Sequence, residues 1–153
     1  MEESDSMGII ISVVALIVSA INVLFYIILQ GKYNKMTKIQ MLTAQGAIET
    51  QVRNSISDAT KEVLHYTLEV QKDPNNKIIQ QAYFSAEEMY RNAYEDACGK
   101  YNDGKIDPER FEKMYKQEIY KLVNDPQQKE FYATNQTPYA TTVSVYKKWF
   151  SQV

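Results

Sequence analysis

The sequence predicts an all-α chain made of one N-terminal transmembrane helix, a long juxtamembrane stalk helix and then a small helical bundle. Three observations predict this. An uncharged apolar run lies near the N-terminus, apolar residues beyond it recur at spacings of three and four, and no run of alternating β-branched residues appears anywhere. At 153 residues the chain has room for one compact domain plus an appendage, and a multi-domain machine is excluded. The expected segments are a short extracytoplasmic leader (1–7), the transmembrane helix (8–31), the stalk (32–72) and a cytoplasmic helical domain (73–153).

The membrane helix follows from the distribution of charge. No charged residue occurs from Gly8 to Gly31, and all 17 Lys and Arg come after it. Ile9–Leu29, IIISVVALIVSAINVLFYIIL, spans about 31 Å at roughly 1.5 Å per residue, the thickness of a bilayer's hydrocarbon core. A cleaved signal peptide would carry a basic leader, a shorter apolar run and a small-residue cleavage site. Here the leader is acidic (Glu2, Glu3, Asp5) and the run ends in bulky residues, so the segment reads as an uncleaved anchor. Lys32, Lys35 and Lys38 follow the run and no cation precedes it. The positive-inside rule then places the N-terminus outside and the C-terminal portion in the cytoplasm. A lone cysteine, Cys98, suits a reducing compartment and excludes an internal disulfide framework.

Within the span, Gly8, Ser12, Ala15, Ser19 and Asn22 are separated by 4, 3, 4 and 3 residues and so share one stripe. Small side chains let two helices approach closely, and Asn22 can hydrogen-bond across the contact for about 0.5–2 kcal/mol. The stripe is expected to serve association, in a homo-oligomer or with a partner's membrane helix.

The stalk contains no Pro, and Gly46 is its only Gly. Val52, Ile56, Ala59, Val63, Tyr66 and Val70 form a seam with the same 4–3 rhythm, led in by Met41, Ala44 and Ile48. Two partners are open to this seam: the chain's own later helices, or a second chain in a coiled coil.

Proline punctuates the remainder. Asp73-Pro74, Asp107-Pro108, Asp125-Pro126 and Thr137-Pro138 each pair a capping residue with a Pro suited to the first helical position, so each is expected to begin a helix. Ile79, Tyr83, Ala86, Tyr90, Ala93, Tyr94, Ala97 and Tyr101 form the expected inner face of the first of these helices. Phe111, Tyr115, Ile119 and Leu122 form that of the next, and the segment after Pro126 is short. Tyr139, Val143, Tyr146 and Phe150, flanked by Trp149, form the last face. Tyr is frequent, at 12 residues, and a Tyr stripe at helical spacing reads as core with its hydroxyls seeking partners.

Motifs that carry chemistry are weak. Asp103-Gly104-Lys105-Ile106-Asp107-Pro108-Glu109-Arg110-Phe111 resembles the second half of an EF-hand loop. Arg110, however, stands where the bidentate Glu belongs, and Gly99 and Tyr101 fall on the first and third ligand positions. A glycine turn followed by an Asp-Pro helix start explains the same residues. His65 shares a helix face with Glu62 and Glu69, too few ligands for a metal site. Cys98 reads as a small buried apolar group. No catalytic set, phosphate loop or dinucleotide turn is recognisable, so no catalytic, cofactor-binding or metal residue is assigned and no cofactor is expected. The net charge of −2 gives no argument for nucleic acid.

The stretch from Asn92 through Cys98 and Asp107 to Phe111, continuing to Ile119, resembles a segment of uncharacterised bacterial and phage proteins that join one membrane helix to a small helical domain. The resemblance covers about the C-terminal third of the chain. It implies a bacterial or phage setting and a helical fold, and supplies no activity. The expected function is a non-catalytic, membrane-anchored helical interaction module that holds a cytoplasmic protein partner at the lipid bilayer. The alternative is a membrane-acting effector, of toxin or phage-defence type, that oligomerises through its transmembrane helix and perturbs the bilayer.

Overall fold

The computed structural model describes the backbone of residues 2–133 and 136–151, and the side chains of residues 16–133 and 136–151. Five helices follow one another: α1 Glu2–Lys72, α2 Lys77–Asn102, α3 Pro108–Asn124, α4 Lys129–Tyr132 and α5 Ala140–Phe150. No strand occurs among the described residues. Contacts divide the chain into two units, Met1–Thr43 and Ala44–Val153.

The first unit is a single stretch of α1 in which every described side chain, from Leu16 to Thr43, is exposed. With no Pro to remove a donor, the backbone satisfies itself along the helix. The Thr37 and Thr43 hydroxyls donate back to the Tyr33 and Ile39 carbonyls at 3.0 and 2.9 Å, so these polar side chains are also satisfied locally.

The second unit is built on α1 from Ala44 onward together with α2–α5. Val52, Ile56 and Ala59 are buried in one core with Tyr94, Ala97, Ile119 and Val145, while Ile48 packs against its edge. The first half of the seam on α1 is thus covered by the chain's own later helices, while Val63, Tyr66 and Val70 are only half-buried. Residues 44–72, read from the sequence as the far part of a stalk, contribute to the same core as residues beyond 73.

The helix starts are less uniform than the Asp-Pro pattern suggests. Asp107 behaves as expected: its carboxylate accepts the Arg110 N–H at 2.8 Å, and Pro108 takes the first turn of α3. Asp73-Pro74 does not begin α2. Pro74 lies in the turn, and Asn76 caps instead, its side-chain oxygen accepting the Ile78 and Ile79 N–H groups at 3.1 and 3.3 Å. Asp125 holds a turn through the Gln127 N–H at 2.8 Å, and the four-residue α4 starts later, at Lys129. Thr137 likewise accepts the Tyr139 N–H at 3.0 Å, within the turn before α5.

The EF-hand-like stretch resolves into a helix stop and a helix start. Gly104 has φ 67°, and the Lys105 and Gly104 N–H groups close on the Lys100 and Tyr101 carbonyls at 2.9 and 3.1 Å, a Schellman motif. Ile106 then plugs the core at 1% exposure. Phe111, Tyr115, Ile119 and Leu122 are buried, the expected face of α3. In α5 the inner face is Thr142, Val145 and Trp149, while Val143, Tyr146 and Phe150 are half-buried beside it. The expected face is therefore rotated by about one residue, roughly 100°.

Candidate functional site

Two regions carry polar or apolar groups beyond what the fold requires. They belong to different units.

The first is the apolar surface of α1. Leu16, Leu24, Phe25, Tyr26 and Ile27 are exposed by 72, 61, 62, 65 and 61%. The helix is long and apolar enough to cross a membrane, and its most apolar stretch is not buried at all. Ser19 and Asn22 are exposed on this surface, where with Val18, Val23 and Tyr26 they line one shallow depression. Gly8, Ser12 and Ala15 precede the residues whose side chains are described. Lys32, Lys35 and Lys38 are exposed along the next turns.

The second region is a polar cluster inside the Ala44–Val153 unit, centred on Arg91. This side chain lies at 5% exposure, a position an arginine occupies only when its donors are met. Its Nη1 donates to Gln128 Oε1 at 2.7 Å and its Nε to the Tyr139 hydroxyl at 3.2 Å. The Phe131 ring lies 3.9 Å beneath the guanidinium carbon, and Glu87 approaches Nη1 at 3.8 Å. Gln128 Nε2 returns to Glu87 Oε1 at 3.0 Å, an oxygen that also accepts the Tyr83 hydroxyl at 2.6 Å. Loss of hydration, followed by that bond to Glu87, pushes the Tyr83 hydroxyl up to about 12. The cluster ties α2 to α4 and to the start of α5 around an anchored cation.

Other interior polar groups are also engaged. Glu95 on α2 accepts the Thr141 and Thr142 N–H groups, both at 2.8 Å, and the Thr142 hydroxyl at 2.7 Å, and so caps α5 from a distant helix. The Tyr94 hydroxyl donates to Glu118 at 2.7 Å, and the Tyr101 hydroxyl accepts the Trp149 indole N–H at 3.2 Å. An exception is Tyr132 Oη, buried with no hydrogen-bond partner among the described residues, and desolvation raises its pKa above the ordinary phenol value. Cys98 is fully buried, and desolvation pushes its thiol up to about 12. His65 is exposed beside the Tyr66 ring, and Glu69 pairs with Lys72 at 2.7 Å. Among the described residues, no group of three His, Cys, Asp or Glu side chains gathers as a metal site would.

Arg91 and Glu95 did not stand out as site residues in the sequence. A signal for the first exists: Glu87, Arg91, Tyr94 and Cys98 are spaced 4, 3 and 4 and share the inner stripe of α2. Glu95 carries no such signal, because its partners lie 46 and 47 residues away.

The chain matches no protein-family model, no curated protein and no solved structure.

Proposed function

We propose that this protein is a membrane-anchored, non-catalytic helical module that holds a cytoplasmic protein at the bilayer. The exposed apolar surface of α1 from Leu16 to Leu29 carries the reading. In water, leaving that many large apolar side chains uncovered is strongly unfavourable, at about 25 cal/mol per Å², and lipid tails are the natural cover for a helix of this length. The orientation has the N-terminus outside and the Ala44–Val153 unit in the cytoplasm, set by Lys32, Lys35 and Lys38.

The test is expression of the full chain in bacterial cells, with membrane fractionation, in-cell crosslinking and a potential-sensitive dye. The expected result is a membrane-bound chain that crosslinks a cytoplasmic protein without depolarising the cell. Rapid depolarisation on induction would instead assign the chain to bilayer-perturbing effectors. Recovery in the soluble fraction would remove both readings.

A further inference from the structure

In the Ala44–Val153 unit, α1 and the α2/α3 pair border an open groove of about 340 Å³. Its apolar lining is Val63 and Leu64 from α1, Tyr90 from α2 and the nearly buried Leu122 from α3, with Thr60 and Thr67 beside them on α1. Leu64 is 60% exposed and Leu68, one turn further along the same helix, is 48% exposed, so this flank of α1 lies uncovered. The facing wall is acidic. Glu87, Glu118 and Asp125 line it against the single cation Lys121. Glu87 is engaged with Arg91, but Glu118 and Asp125 are exposed and have no ion-pair partner among the described residues. Among the described residues, Glu118 receives only the Tyr94 hydroxyl, and the Asp125 side chain only the Gln127 N–H. An apolar strip beside two unpaired carboxylates is complementary to one kind of surface, a helix with apolar residues on one stripe and Lys or Arg alongside it.

We propose that this groove is where the cytoplasmic partner docks, and that the docking segment is a basic amphipathic helix. Its apolar side chains at i and i+4 lie against Leu64 and Tyr90, and its cations face Glu118 and Asp125. An acidic segment would meet like charge on the wall. The proposal rests on the interaction-module reading above and adds the surface and the chemistry of the partner.

The experiment uses the full chain in neutral detergent micelles. The probe is a fluorescein-labelled 14-residue Leu/Lys peptide patterned as an amphipathic helix, with a scrambled peptide of equal composition beside it. Saturable binding to the wild-type chain is expected, weakened at least about tenfold by Leu64→Asp, which puts a charge on the apolar lining. A loss of roughly fivefold is expected for the Glu118→Gln/Asp125→Asn pair, with weaker binding at high salt. That pair changes only exposed groups, and so keeps the test sound if Leu64→Asp fails to fold. Phe84→Ser, an uncharged change at a 64% exposed position of α2 that does not line the groove, should leave binding unchanged. Absence of saturable binding overturns the proposal, as does equal binding of the scrambled peptide or of both groove variants. A wild-type dimer dissociated by Leu64→Asp would assign the groove to a second copy instead. In-cell crosslinking separates the two levels of the argument. If wild type and both groove variants capture the same protein equally, the groove falls and the module stands; if the wild type captures nothing, both fall.

Discussion

Glu95 shows how one side chain can complete a helix to which it does not belong. Helix α5 has no side-chain cap of its own at Tyr139, and its first free N–H groups are met by a carboxylate from α2. Glu95→Ala removes all three bonds and leaves two backbone donors and a buried hydroxyl without partners, at a cost of about 1–3 kcal/mol. The single Trp149, held between Tyr101 and Phe111, reports this unit, so the change is expected as a lower midpoint in thermal melts followed by its fluorescence. Glu95→Gln, which keeps an acceptor, should fall between the two. Cys98 gives a second expectation. A thiol pushed up to about 12 by burial has almost no thiolate at pH 8, so iodoacetamide should leave native Cys98 unmodified and label it rapidly in denaturant. Burial of Cys98 was legible from its place in an Ala- and Tyr-lined stripe. The cap by Glu95 was not, because sequence spacing registers neighbours one turn apart and says nothing of a partner on another helix.

At the level of elements, the apolar period of α3 predicted its buried face, and that of α2 predicted Ala86, Ala93, Tyr94, Ala97 and Tyr101. In α2, however, Ile79, Tyr83 and Tyr90 are only half-buried and Arg91 is buried unexpectedly. In α5 the same reasoning missed by one residue. Thr142, polar by type, is turned inward at 0% exposure by its bond to Glu95, and Val145 follows it. The Asp-Pro junctions show a related limit: Asp and Thr before Pro suit a turn as well as a cap, and only at Asp107 does the chain enter the helix directly. Two expectations concern the apolar stretch of α1. With cations on its C-terminal side alone, a phosphatase fused after Val153 should be inactive and a cytoplasmic reporter active; phosphatase activity would reverse the assigned topology. Replacing Ser19 and Asn22 by Leu should weaken self-association or partner pairing in a membrane two-hybrid assay, whereas replacing Val14 and Ile17 by Leu should not. Lipid solvates Leu as well as a neighbouring helix does, so packing of small residues and the Asn22 amide would drive the contact. Equal signals from the two pairs would leave this stretch as a plain anchor.

At the scale of the whole molecule, the core draws on residues from Val52 to Trp149, and α1 supplies Val52, Ile56 and Ala59 to it. A fragment of residues 44–153 is expected to melt cooperatively in circular dichroism. A fragment of residues 73–153 should lose that cooperativity, because Tyr94, Phe111 and Tyr115 would be left with one side uncovered. Cooperative melting of the shorter fragment would show that α1 is dispensable to the core. The all-helical class was legible from periodicity alone. The extent of the compact unit was not, because the seam from Val52 to Val70 has the same pattern whether it meets a second chain or its own. The remote cap on α5 also bears on how that helix is held. An isolated 11-residue helix is marginal in water and this one lacks a local cap, so its first turn is expected to rely on a carboxylate 46 residues earlier in the chain. The last helix thus depends on a contact remote in sequence, and its first turn is expected to fray whenever α2 is not packed against it.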